Sequence, residues 1–125
     1  MRKQYHFWPG ERGLDAWDVD RLVELSRHLP VKDLPVHSIN EIDTNYWFDD
    51  DSQRPTVRGV VNHVRMIEEA DLSYPIILGC DGRVMDGMHR IAKALLLDHP
   101  TIRAVQFETP LEPDYRNCRA GDLPY

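Results

Sequence analysis

Residues 82–90 read Gly82-Arg83-Val84-Met85-Asp86-Gly87-Met88-His89-Arg90, with an apolar run at 75–78 before them and a helix-like run at 91–97 after them. This order predicts a strand, a glycine turn and a helix start. The first turn of a helix carries backbone N–H groups without intrahelical acceptors, and the macrodipole adds roughly half a positive charge there. An anion at such an end finds hydrogen-bond donors and a favourable potential together. Gly87 is placed to open that turn, with Met88, His89 and Arg90 inside it. Glycine tolerates the dihedrals of a tight bend and lets a bulky phosphate approach the backbone, while Arg90 brings a planar, permanently charged fork suited to phosphate oxygens. Asp86 fits two roles, the helix N-cap or a carboxylate that touches metal or substrate.

Outward from this junction, residues 76–78 and 83–85 are expected to pair as strands around Cys80-Asp81-Gly82. Asp-Gly at a tight turn is a strong hairpin signal, because the glycine supplies the positive φ. Ile91, Ala94, Leu95 and Leu97 give the following helix an apolar side, and Asp98-His99-Pro100 ends it. Val105 and Phe107, alternating with Ala104 and Gln106, predict a last strand. Upstream, Thr56 caps a helix running to about residue 70, with a stripe of Val60, Val61, Val64, Met66 and Ile67 and with Arg58, Asn62, Arg65 and Glu69 exposed. Residues 31–36 alternate like a short strand that Pro35 confines to a sheet edge. Ser38-Ile39-Asn40-Glu41 has capping-box spacing for a short helix or turn. Asp15 can cap an earlier helix carrying Trp17, Leu22, Leu25 and Leu29 near one face, which Pro30 stops. The segment 5–13, aromatic and glycine-containing, is expected to be an irregular arm, and the proline-bearing tail 108–125 an irregular chain.

The stretch 72–107, with Pro75-Ile76-Ile77-Leu78, the turn Cys80-Asp81-Gly82-Arg83, the junction Met85-Asp86-Gly87-Met88-His89-Arg90 and the closing Ile102-Arg103-Ala104-Val105-Gln106-Phe107, resembles the superfamily of ParB amino-terminal domains and sulfiredoxins, which includes the free serine kinases. A weaker likeness reaches back to Leu34. The resemblance implies a small α+β domain with a mixed sheet and three to four helices, spanning residues 1–125 with the arm and first helix at 1–30 and the tail at 108–125. It also implies that Gly87, Met88, His89 and Arg90 hold the phosphates of ATP or CTP with magnesium. Three departures limit the inference. Sulfiredoxins carry a catalytic cysteine before the His-Arg pair, where this chain has Met88, so sulfinic acid reduction is not expected. ParB proteins use an acidic residue and two arginines after the glycine, followed by a separate DNA-reading domain, whereas this sequence ends at residue 125. The free serine kinases have two histidines and an arginine after the glycine, and one of the two is missing here.

Composition bounds the partners. The 125 residues are 42% hydrophobic and 29% charged, which suits one ordinary soluble domain. A formal net charge of −6, with basic residues spread along the chain, opposes a nucleic-acid backbone, so DNA binding by this chain alone is not expected. No apolar run of membrane-spanning length and no signal-peptide core occurs, which makes a cytoplasmic location the default. Cys80 and Cys118 lack paired spacing and are expected as free thiols. No histidine spacing supports a zinc site, and no metal ligand is assigned.

Phosphoryl transfer needs a metal to neutralise charge and a carboxylate to position or deprotonate the acceptor. Glu41 and Asp43 follow the strand at 31–36, in the region where the free serine kinases are similar in placing an acidic pair. Glu41 is thus a candidate base and Asp86 a candidate metal or substrate contact, each against a capping role. His89 is read as a phosphate contact and His63 as a partly exposed helix residue. Asp49-Asp50-Asp51 reads as a solvated loop or a magnesium site, and Tyr46-Trp47-Phe48 as core or lid packing or a stacking platform for a base. Two classes of function remain: a nucleotide-dependent kinase or hydrolase, and a nucleotide-sensing or protein-interaction module whose partner supplies the output.

Overall fold

The backbone of the computed structural model, described for residues 3–48 and 53–125, forms three α-helices and seven strands in two sheets, an α+β fold. The strands, numbered in chain order, are β1 (Tyr5–Pro9), β2 (Leu14–Asp18), β3 (Lys32–Pro35), β4 (Ile76–Leu78), β5 (Val84–Asp86), β6 (Thr101–Gln106) and β7 (Tyr115–Cys118). The helices are α1 (Val19–Ser26), α2 (Val57–Glu69) and α3 (Met88–Leu96). The sheets have the orders β1-β2-β7 and β3-β6-β4-β5. The chain divides into two compact units, one comprising Met1–Pro30, Ile77–Asp86 and Gln106–Tyr125, the other Val31–Ile76 and Gly87–Val105.

In the first unit, β1 and β2 pair antiparallel from Tyr5↔Asp18 to Pro9↔Leu14, closed by the Gly10 N–H donating to the Gly13 carbonyl at 2.7 Å. β7 then pairs antiparallel with β2 through Leu14↔Cys118 and Ala16↔Tyr115. The arm expected to be irregular is therefore a hairpin, and part of the tail is its third strand. Pro9, Gly10 and Gly13 in the arm and Pro110, Pro113 and Pro124 in the tail argue locally for irregular chain, but β1 is an edge strand and tolerates Pro9. The same pairing moves the first helix. Trp17 belongs to β2, buried with its indole N–H donating to the Leu111 carbonyl at 3.0 Å, and the N-cap is Asp18, whose carboxylate accepts from the Asp20 N–H at 2.9 Å. Asp15 instead accepts from the Asn117 N–H across the sheet.

The β4–β5 hairpin turns as the Asp-Gly pair requires: Gly82 has φ 85°, its N–H donates to the Gly79 carbonyl at 2.9 Å, and the Gly79 N–H donates to the Arg83 carbonyl at 2.8 Å. Asp86 closes β5 opposite Ile77.

In the second unit, β3 pairs antiparallel with β6 from Lys32↔Ala104 to Pro35↔Thr101 and lies at the sheet edge, as Pro35 demands. Residues 38–41 form no capping box. Ser38 donates its hydroxyl to the Pro35 carbonyl at 2.6 Å, and the chain makes two short 3-10 turns, Val36–Ser38 and Asn40–Asp43. α2 begins at the predicted cap, Thr56 Oγ1 accepting from the Gly59 N–H at 3.0 Å. Its valine stripe, however, is not core: the half-buried side of α2 carries Gly59, His63 and Ile67, and no residue of the helix is fully buried. α3 buries Met88, Ile91 and Ala94, whereas Leu97 is exposed, because the helix ends in a left-handed Asp98 and the His99 N–H folds back to the Ala94 carbonyl. Among the described residues no helix is long and apolar enough to cross a membrane, and both cysteines are free. The Asp49-Asp50-Asp51 expectation lies outside the described residues.

Candidate functional site

Gly87 is the N-cap of α3, with φ 111° and ψ 22°. A Cβ at this position would stand 2.7 Å from Ile76 Cγ2 and 3.0 Å from Ile76 Cβ, so packing and dihedral both demand glycine. Glycine has no side chain to accept from the first turn, so the cap residue itself makes no side-chain hydrogen bond at the positive end of α3. Asp86, one residue earlier, does not take the cap role because it is still in β5.

The three side chains that follow are used in different ways. Met88 is buried, its side chain part of the apolar core. Arg90 donates from Nη1 to the carbonyls of Tyr74 at 3.1 Å and Pro75 at 2.8 Å, tying the start of α3 to the segment that leads into β4. His89 turns toward α2: its Nε2 lies 2.8 Å from His63 Nδ1, one of the two nitrogens carrying the shared proton.

Trp47 covers this histidine pair. Its ring is stacked on both imidazoles, with centroids 4.4 Å from His63 and 4.7 Å from His89 and interplanar angles of 18° and 13°. The imidazole centroids are only 5.1 Å apart, too close to lie on opposite faces of the indole, so one indole face spans both rings. Phe48 meets His63 edge-on at 5.3 Å. Burial, with His63 beside it, pushes His89 down to about 4, and burial lowers His63 as well. At neutral pH the pair is therefore uncharged, a hydrogen-bonded edge under an aromatic lid rather than a cationic clamp.

Glu41 sits in the 3-10 turn Asn40–Asp43, where its carbonyl accepts from the Thr44 N–H and hydroxyl. The neighbouring turn Val36–Ser38 packs against α3. Lys93, one turn beyond Arg90, donates to the carbonyls of Glu68 at 2.9 Å and Ala70 at 2.8 Å, closing the carboxyl end of α2. Sequence reasoning did not assign Lys93, nor the partnership of His63 with His89. No motif links residues 26 positions apart, and a lysine reaching another helix's last carbonyls leaves no local signal.

No protein family, curated protein or solved structure matches this chain. The site's chemistry rests on its geometry alone: a helix end capped by glycine, an arginine and a lysine holding the surrounding carbonyls, and a neutral imidazole pair beneath an indole.

Proposed function

We propose that this chain is a ParB/sulfiredoxin-like domain that binds ATP or CTP with magnesium through the phosphates, at the amino-terminal end of α3. The observation that carries the reading is the left-handed Gly87 cap, which offers backbone donors and a helix dipole with no side chain of its own in the way. Magnesium would neutralise the phosphate charge, and Glu41 or Asp86 would be the carboxylate that meets the metal or takes a proton from an acceptor. A cytoplasmic setting goes with this reading, as does the net charge of −6, which disfavours DNA as the partner.

A second reading, a nucleotide-sensing or protein-interaction module without catalysis, is favoured by the way His89 and Arg90 are engaged. Both side chains bond within their own unit, so the backbone carries more of the phosphate contact than in an enzyme that commits them to the transferred group.

Thermal unfolding with ATP and CTP, each with and without magnesium, tests what the two readings share. At about a hundred times Kd a nucleotide adds about 2.7 kcal/mol, and the melting temperature is expected to rise by roughly 8 °C. Arg90→Ala is expected to lower the unliganded melting temperature, since two carbonyls lose their donor, and to shrink the nucleotide-induced rise. No rise with any nucleotide rejects phosphate binding. Where a rise is found, nucleotide turnover in the wild type and in Glu41→Gln separates the readings: turnover lost in the variant supports Glu41 as base, unchanged turnover removes it from that role, and no turnover in the wild type leaves the module.

A further inference from the structure

We infer that α2 is the self-association face of this protein, pairing antiparallel with α2 of a second copy. Val57, Val60, Val61 and Val64 fall at i, i+3, i+4 and i+7, the spacing of one helix stripe. That stripe does not point at the rest of its unit. The packed side of α2 is Gly59, His63 and Ile67, while Val57 is 83% exposed and the other three valines 41–44%. These four β-branched side chains leave apolar surface in water along two turns, and burying it between copies removes that surface from water.

The charges on α2 say which occupant and which direction. Arg58 stands in the first turn and Glu68 and Glu69 in the last, and the helix has no acidic residue in its first turn and no basic residue in its last. This is the reverse of what the helix dipole favours. The side chains of Arg58, Glu68 and Glu69 have no ion-pair partner among the described residues. An antiparallel second copy corrects the arrangement. With the two-fold axis near residue 63, Arg58 stands level with the partner's Glu68, the same contact is repeated by symmetry, and Val61 interleaves with the partner's Val64. A parallel pair would set like charges side by side. The patch is thus complementary to itself in one orientation, as a closed two-fold interface requires.

A helix of 13 residues is about 20 Å long. Pairing through one stripe buries roughly 400 Å² per partner, about half of what a standard stable interface buries. The dimer is therefore expected to be weak, with a Kd of roughly 10–100 μM, and concentration-dependent.

Sedimentation velocity of the full chain from about 5 μM to about 500 μM tests this. The expected result is a shift from one-chain to two-chain mass across that range. Val61→Arg, which sets a like charge level with the partner's Arg65, and Arg58→Glu are each expected to raise Kd at least about tenfold, and the swap Arg58→Glu with Glu68→Arg and Glu69→Arg is expected to recover association. All these side chains are exposed, so the melting temperature of the Arg58→Glu chain reports that it is folded; if Val61→Arg unfolds, the Arg58→Glu and triple-swap chains decide alone. One-chain mass at every concentration overturns the inference. So does a dimer that survives both single substitutions, which would place the contact on another face, or a triple swap that stays monomeric.

Discussion

Replacing Gly87 by alanine is expected to lower the unfolding free energy by roughly 2–6 kcal/mol. Two costs add. An L-residue at φ 111° leaves the allowed regions, at about 1–3 kcal/mol. The new Cβ also meets Ile76 Cγ2 at 2.7 Å, and Ile76 is 0% exposed, so it has no free volume to move into; overpacking of that kind costs about 1–3 kcal/mol. Gly82 is the internal control. It has φ 85° but nothing within 4 Å of a Cβ, so Gly82→Ala bears the strain alone, about 1–2 kcal/mol. Urea unfolding of the two variants beside the wild type separates strain from overlap. Equal losses at both positions would mean that Ile76 yields, and a Gly87→Ala loss under about 1 kcal/mol would mean that the cap is not held in the left-handed region.

That glycine was legible because its signal is local. A strand, an Asp-Gly turn, a second strand and a helix start lie within some 20 residues, and each is governed by nearest neighbours. α2 was legible for the same reason, from a threonine cap and a 3.6-residue period. The period reported only that α2 is a helix, not which way it faces. Of the stripe only Ile67 lies on the packed side, beside His63, which is the partly exposed helix residue it was read to be; Val60, Val61, Val64 and Met66 are exposed. The β1–β2–β7 sheet was illegible in another way. β7 joins β2 across about 100 residues of sequence, so nothing near Tyr5 or Tyr115 announces the pairing, while Pro9, Gly10 and Gly13 argue locally for irregular chain. The site divides along the same line: the glycine cap could be read from adjacent residues, but the engagement of Arg90 by two carbonyls and of His89 by His63 and Trp47 depends on contacts that only folding makes.

Imidazole burial sets the second large effect. Between pH 7 and pH 4 the protein is expected to lose roughly 4 kcal/mol of stability, most of it through His6. His6 is 8% exposed, its buried Nε2 has no hydrogen-bond partner among the described residues, and burial together with the nearby Arg83 guanidinium pushes it down to about 4 from an ordinary 6.5. The unfolded chain therefore takes up a proton first as the pH falls, and the folded form is penalised from about 6.5 until it too protonates near 4, below which this contribution is constant. The difference corresponds to about 3 kcal/mol. His89, also near 4, follows the same sign, but it is only half-buried and solvent screening reduces its share to about 1 kcal/mol. Asp18 and Asp71 act lower down. Lysine or hydroxyl and backbone partners hold both below the ordinary 3.8, so their contribution disappears only as the pH falls through that value. Denaturant unfolding at pH 7, 6, 5 and 4 should show the loss begin near 6.5, well above the carboxylate range. His6→Phe keeps an aromatic ring beside Trp17, whose ring centroid is 5.5 Å away, and removes the titrating group. The variant is expected to flatten most of the slope between pH 6.5 and 4 while His89→Phe flattens less. Stability that stays level from pH 7 to pH 5, or a slope that His6→Phe leaves unchanged, would show that these rings do not titrate as their burial requires.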